Sequence, residues 1–449
     1  MSTRNSRNWP RKISGQGAVV VFMSGMVLGC LGLSRADDWP QWRGPRRDGV
    51  WRETGVVDRF AGPTLEAKWR VPVGPGYSGP TVADGRVYLT DRVKQPVEQE
   101  RILCFDAKTG ATLWTRAYDC RYGKIGYQAG PRAGVTVAEG RAYSIGATGH
   151  TFCVNATDGQ VIWERDLQRD YQIEMPIWGI AAAPLLFQDL VILHIGGTPQ
   201  SCIVALDRQT GKQRWSALGD RGQYASPILV EQAGKPVVIC WTGDAVVGLN
   251  PTDGKVYWRY DWKPRNMPIG VATPIVDRNR VFFTSFYDGS LLLELSQQEP
   301  KFQKVWQRVG ANEQRTDALH SIISTPLFLG DHIYGVDSYG ELRCLDAATG
   351  ERVWENLTAT PKARWSTIHF VVNGDRVWMF NERGELIIAR LSPQGYEELS
   401  RAKLLTPTLD QLNSRNGVCW SHPAFANRCV FARNDQELVC ADLAKAVKE

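Results

Sequence analysis

The chain has 449 residues, 43% of them hydrophobic, and its 17 Trp, 43 Gly and 24 Pro suit a well-packed all-β protein with many turns. Its formal charge of +6 comes almost wholly from residues 1–36, which hold Arg4, Arg7, Arg11, Lys12 and Arg35 and no acid, leaving 48 basic against 47 acidic side chains in the rest. A near-neutral body gives no basis for nucleic-acid binding, and no segment after residue 36 is apolar enough to span a bilayer as a helix.

Residues 1–36 read as an export signal: a basic region ending at Lys12, an apolar run from about Ala18 to Leu33, and small residues at Ser34 and Ala36. Cleavage after Ala36 starts the mature chain at Asp37 and places it in the periplasm or cell envelope. The run is broken by Gly25, Gly29 and Gly32, so it is short for an uncleaved anchor. Val27-Leu28-Gly29-Cys30 is a second processing point, with Cys30 as a lipoprotein cysteine, although Leu28 stands where a small residue is usual. Residues 37–64 begin D-D-W-P-Q-W-R-G-P-R-R-D-G and carry neither strand alternation nor a helical period, so they are expected to form an extended arm laid over the main domain.

From residue 65 to 445 the chain is repetitive. Asp106–Trp114 (D-A-K-T-G-A-T-L-W) returns as Asp207–Trp215 and Asp346–Trp354, with weaker copies at Asn155–Trp163 and Asn250–Trp258. Around each copy lie four short alternating segments separated by Gly/Asp turns, which predicts a four-stranded antiparallel blade. Eight such units can be counted, from Tyr77, Pro131, Pro184, Pro227, Pro274, Pro326, His369 and Trp420 onward. The fifth has lost its Asp-x-x-Thr-Gly turn, and the seventh has Leu399 in place of the Trp. The eighth lacks a fourth strand, which Leu65–Val71, containing Trp69, can supply from the N-terminal side. The expected fold is therefore an eight-bladed β-propeller closed by an N-terminal strand, with seven blades as the rival count.

The repeat residues are expected to lock blades together. The Asp or Asn caps backbone N–H groups, the glycine (Gly110, Gly159, Gly211, Gly254 or Gly350) takes a positive φ, and the Trp packs on the neighbouring blade. Trp69, Trp114, Trp163, Trp215, Trp258, Trp306 and Trp354 form this set. Cys104, Cys153, Cys344 and Cys440 each precede the turn by two residues and read as small buried hydrophobes on equivalent strands. Cys419 and Cys429 stand as a candidate local pair.

D-x-x-T-G-x-x-x-W resembles the tryptophan-docking repeat of the pyrroloquinoline quinone (PQQ) dehydrogenase propellers. It is similar also to BamB, the propeller lipoprotein of outer-membrane barrel assembly, and the arm resembles the start of exported PQQ-repeat propellers of planctomycete-type bacteria. The resemblance to the dehydrogenases implies a vicinal Cys-Cys, calcium ligands and a catalytic Asp, and the sequence contains no Cys-Cys pair and no match for the others. No cofactor is expected, and PQQ with calcium is the disfavoured alternative.

The one pattern above the repeat is a set of rings just before the innermost strands: Tyr77, Tyr127, Trp178, Tyr224, Trp365 and Trp420. The long insertions at 119–128, 166–178, 308–321 and 405–420 fall on the same connections and hence on one mouth of the ring. Arg132 and Arg415 add positive charge there, and His320, His369 and His422 lie near starts of innermost strands. These residues are the candidate partner face, with plugging of the axis as the rival role. The expectation is an exported, non-catalytic propeller, monomeric within any complex, that binds an envelope protein or a polysaccharide. A PQQ-dependent or carbohydrate-active enzyme is the alternative.

Overall fold

The computed structural model describes residues 37–446, so the export-signal and Cys30 readings fall outside the described residues. Thirty-two strands form eight separate four-stranded sheets. In blade one the strands are Thr81–Ala83, Arg86–Val93, Gln99–Asp106 and Thr112–Asp119, each antiparallel to the one before it. Blade seven is complete despite its degenerate repeat, running from Ile368–Asn373 to Gly395–Lys403. The count is eight.

Blade eight is shared between the chain ends. Ala424–Ala426, Cys429–Arg433 and Glu437–Asp442 supply three strands, and Ala67–Pro72 pairs on the outside, with Trp69 opposite Cys440 and Pro72 opposite Glu437. This closure leaves no blade missing its outer strand, where an unpaired edge would invite association.

The repeat motif explains the blade-to-blade packing. Asp106 Oδ1 accepts from the backbone N–H and the hydroxyl of Thr109, both at 2.8 Å, and Asp207 treats Thr210 alike at 2.9 Å. The chain then turns through Gly110 and Gly211, at φ +76° and +67°. Gly159, Gly254 and Gly350 hold the same place in their own blades, at φ +74°, +73° and +73°. Each lies under the docking ring of the blade before it. A Cβ would stand 2.7 Å from Trp114 at Gly159, 2.6 Å from Trp215 at Gly254 and 3.0 Å from Trp306 at Gly350.

Each Trp donates its indole N–H to a carbonyl in the turn of the next blade: Trp114 to Ala156 at 3.2 Å, Trp163 to Arg208 at 3.0 Å, Trp215 to Pro251 at 2.9 Å, Trp306 to Ala347 at 2.9 Å. Trp354 reaches Ser392 at 2.8 Å. The blade-four copy departs from the rule. Blade five has lost its turn, and Trp258 bonds instead to Oε1 of Gln232 in its own blade at 2.9 Å.

The cysteines at 104, 153, 344 and 440 are buried thiols in these layers. Cys419 and Cys429 are both free, so the local pair is not formed. Cys429 sits on the second strand of blade eight opposite Asp442, which turns its side chain to the sheet face that carries Cys440. The insertion after blade two opens with a short helix, Leu167–Tyr171, capped by Asp166 and burying Leu167 and Tyr171. The aperiodic sequence of this insertion gives no sign of it.

The arm does more than lie over the domain. Trp39 bridges Val82 of blade one, the Pro40 carbonyl accepts from Val137 N of blade two, and Val50 bridges Val372 of blade seven. Trp39 and Trp51 are 2% and 1% exposed, packed on Phe425 and Trp378. These contacts fall on the innermost strands, midway along them at Val82 and Val137 and late at Val372.

Candidate functional site

The chain enters every innermost strand from the same side, so side chains just before those strands converge on one mouth of the axis. Four rings from four blades meet there. Tyr127 lies 5.8 Å from Trp178, 5.6 Å from Trp365 and 6.2 Å from Trp420, centroid to centroid, and Trp178 and Trp365 are 6.0 Å apart. Tyr224 stacks on Trp178 at 5.0 Å and receives its backbone N–H at 3.2 Å. Such offset and edge contacts between rings contribute about 0.5–1.5 kcal/mol each beyond burial. Tyr127 and Trp365 sit at φ +53° and +68°. Bulky side chains adopt that backbone region at a cost of about 1–3 kcal/mol, which the surrounding packing must offset.

Beneath these rings is a chamber of about 950 Å³ of empty space, including the part open to solvent. Gly134, Ala181, Ala183, Val271, Ile322 and Ile323 line its walls. Its floor is Trp42 of the arm, whose indole N–H donates to Thr273 Oγ1 at 2.9 Å and whose ring meets His422 edge-on at 4.5 Å. Trp42 is not among the expected residues. The available signal is that it belongs to no docking position, so it needs another apolar neighbourhood.

Of the expected residues, Tyr77, Tyr127, Arg132, Trp178, Tyr224, Trp365, His369, Trp420 and His422 line this chamber. Arg132 is the charged side chain among the lining residues. It stacks over Tyr77 at 4.9 Å and donates to the carbonyls of Gly130, Gly126 and Tyr127 at 2.6–2.7 Å. His369 donates from Nε2 to the Trp420 carbonyl at 2.8 Å, and His422 accepts at Nε2 from Gly79 N–H at 3.2 Å. Burial pushes His369 down to about 4 and His422 to about 3, the latter also opposed by His369, so both imidazoles are neutral at pH 7.

His320 and Arg415 are placed differently. His320 is fully buried between blades, its Nδ1 donating to the Phe286 carbonyl at 2.9 Å and its Nε2 accepting from Gly310 N–H at 3.1 Å. An imidazole with both nitrogens committed inside the wall has no surface to offer, so it leaves the candidate face. Arg415 stands behind the rings, 3.3 Å from Glu382 Oε1, while Trp420 donates to Oε2 of the same carboxylate at 3.3 Å. Glu382 thus couples Arg415 to the ring cluster without bringing it into the chamber.

The described residues include no helix long and apolar enough to cross a membrane and no cluster of three His, Cys, Asp or Glu side chains suited to a metal ion.

Comparison with known proteins agrees with this architecture. Outer membrane protein assembly factor BamB of Shewanella oneidensis is 23% identical over 301 residues, 64% of this chain, and the chain spans 60% of that relative's length. The crystal structure of BamB from Moraxella catarrhalis superposes with a TM-score of 0.57 at 16% identity, covering 86% of this chain and all of that one. Quinohemoprotein alcohol dehydrogenase from Comamonas testosteroni gives a TM-score of 0.63 at 13% identity, covering 92% of this chain and 81% of that one. At such identities the two structures establish a shared fold, which by itself carries no activity across. The profile of the family described as "Outer membrane protein assembly factor BamB" matches residues 98–356 and 309–449, most of the chain, and this PQQ-repeat propeller belongs to that family.

Proposed function

We propose that this chain is an exported, non-catalytic scaffold that docks an envelope protein on the mouth bearing the long insertions. The carrying observation is the exposed apolar rim there. Ile177, next to Trp178, is 50% exposed, and Leu409, in the insertion leading to Trp420, is 57% exposed. Ile177 borders a cluster whose Tyr127, Trp178 and Trp365 remain half-buried rather than sealed, and Leu409 stands farther out, beside Pro72 and Glu437 of blade eight. Aromatic anchors with apolar neighbours and a peripheral Arg are what a protein interface uses. The BamB relatives' name points the same way, and the basic and apolar stretch of residues 1–36 supports export.

The chamber's donor set argues against a PQQ enzyme. Its lining contains no carboxylate, carboxamide or cysteine, so calcium would lack the charged oxygen ligands it needs. The two histidines spend Nε2 on backbone groups. A polysaccharide fits less well than a protein, because rings without convergent polar partners leave sugar hydroxyls unsatisfied.

A photo-crosslinking residue at Ile177, in cells of the native host, tests the docking. It should trap one envelope protein, whereas the same residue at Leu113, on the outer strand of blade one, should not. Equal trapping at both positions, or labelling of glycan instead, rejects the reading.

A further inference from the structure

We infer that Cys429 and Cys440 are a modification site: oxidised by a small-molecule disulfide, they join in a disulfide that braces blade eight. This goes beyond docking at the mouth, and only its setting, an oxidising compartment, rests on the export part of that reading.

Register brings the two thiols together. Cys429 stands opposite Asp442 and Phe431 opposite Cys440 on neighbouring antiparallel strands, so the two cysteines share one sheet face as diagonal neighbours. Both are free thiols. Diagonal Cα atoms lie about 7–8 Å apart and a disulfide spans up to about 6.8 Å, so closure draws the strands in by about an ångström. The other blades with the repeat cysteine lack the second one. In blades one and two, Tyr88 and Tyr143 face Cys104 and Cys153, and Arg86 and Arg141 hold the place of Cys429. Blade six has Tyr334 and His332 at these positions. The thiol pair is thus particular to the blade that the chain ends share, and Trp69 of the closing strand stands opposite Cys440.

The surroundings equip one thiol to attack and the other to resolve. Cys429 is 5% exposed and Cys440 1%, so an oxidant reaches Cys429 first. Lys68, at the register shift of the closing strand, pairs with Asp442 Oδ2 at 3.3 Å and has its ammonium form favoured by Cys429. The contact with Cys440, aided by the Lys68 ammonium, holds Cys429 below the usual thiol range despite its burial. The same contact, together with burial, pushes Cys440 up. In exchange the thiolate is the nucleophile. Cys429, having lost its proton, attacks the S–S bond of the oxidant, which forms a mixed disulfide and releases one thiol. Cys440 then gives up its proton and displaces the second thiol from Cys429 Sγ. Two electrons and two protons pass from the pair to the oxidant, which departs as two thiols.

The test treats the purified full chain, reduced and then freed of reductant, with oxidised glutathione, and blocks the remaining thiols with N-ethylmaleimide in denaturant. Trypsin cuts after Arg428, Arg433 and Lys445, so each cysteine falls in its own peptide, 429–433 and 434–445. Mass spectrometry should find these peptides joined, with both maleimide adducts lost, while Cys104, Cys153 and Cys344 keep theirs. Oxidation should raise the melting temperature by a few degrees, and Cys429→Ser should lose both the joined peptides and the rise. No joined peptides, or Cys429 joined to Cys419 instead, overturns the proposal. An oxidised protein that melts no higher than the reduced one overturns the brace. Alkylation in cells of the native host, before lysis, separates the setting from the chemistry. Joined peptides are expected there too, whereas free thiols there beside a pair that closes in the purified chain would fault the export reading alone.

Discussion

Trp69 closes the ring on Gly110: its indole N–H reaches the Ala107 carbonyl at 3.1 Å, and a Cβ at position 110 would stand 2.8 Å from its ring. One residue therefore serves two demands, a turn at φ +76° and a bare surface for the incoming Trp. Gly85 separates the two, with φ +71° and nothing within 4 Å of where a methyl would stand. Gly85→Ala should cost about 1 kcal/mol from backbone strain alone. Gly110→Ala should cost about 3 kcal/mol, because overpacking against Trp69 is added. Urea unfolding of both variants measures the gap, and equal losses would remove the packing role.

A second prediction concerns the irregular seam. Gln232 is fully buried, accepts from Trp258 Nε1 at 2.9 Å and donates to the Lys301 carbonyl of blade five. It thus replaces the turn that blade five has lost. Gln232→Leu leaves the buried indole N–H unpaired and takes one of two donors from the Lys301 carbonyl, which keeps the Ser296 N–H, and should destabilise the protein by about 1–3 kcal/mol. Gln232→Glu keeps the acceptor and loses the donor, so it should fall below the wild type in thermal stability while Trp258 fluorescence stays close to native.

These two seams show what the sequence could and could not convey. Asp106–Trp114 and its copies made the blades legible, because each local motif repeats the same turn and the same docking ring. The sharing of blade eight was legible from a missing strand at one end and an orphan strand at the other. The mouth was legible too, since Tyr127, Trp178, Trp365 and Trp420 all precede innermost strands. Trp42 was not, because an aperiodic arm gives no register from which to place a side chain. His320 misled for the opposite reason: it shares the strand-start position of His369 and His422, but the chain before it folds back so that Gly310 and Phe286 consume both ring nitrogens. Gln232 was hidden because the sequence shows the lost turn and not its replacement.

The third prediction is a pH dependence. His369 and His422 are held near 4 and 3 by burial, against about 6.5 in an unfolded chain. On acidification the unfolded state takes up these protons first. The stability carried by the neutral imidazoles is therefore complete above about pH 6.5 and is lost as pH falls towards 4 and below. His369 can account for up to about 3 kcal/mol of that loss and His422, held lower, for somewhat more. Chemical denaturation at pH 7.5, 5.5 and 4.5 should show a steep decline in the wild type and a shallower one in His369→Gln/His422→Gln. Parallel declines would assign the acid sensitivity elsewhere.

The last prediction isolates the arm. Trp42→Ala removes the ring on His422 and the bond to Thr273, and it opens the chamber towards the smaller cavity lined by Trp39, Arg43 and Phe370. Trp42 is half-buried, so the expected loss is about 2–3 kcal/mol, below the range for a fully enclosed Trp. The propeller itself should persist, because the blade seams at Trp69, Trp114 and Trp163 make no use of Trp42. Hydrogen exchange discriminates local from global effects. Faster exchange confined to residues 39–50 and to the strand starts near Thr273 and His422 is expected, whereas uniform acceleration over all eight blades would make the arm a part of the core and not a floor set into it.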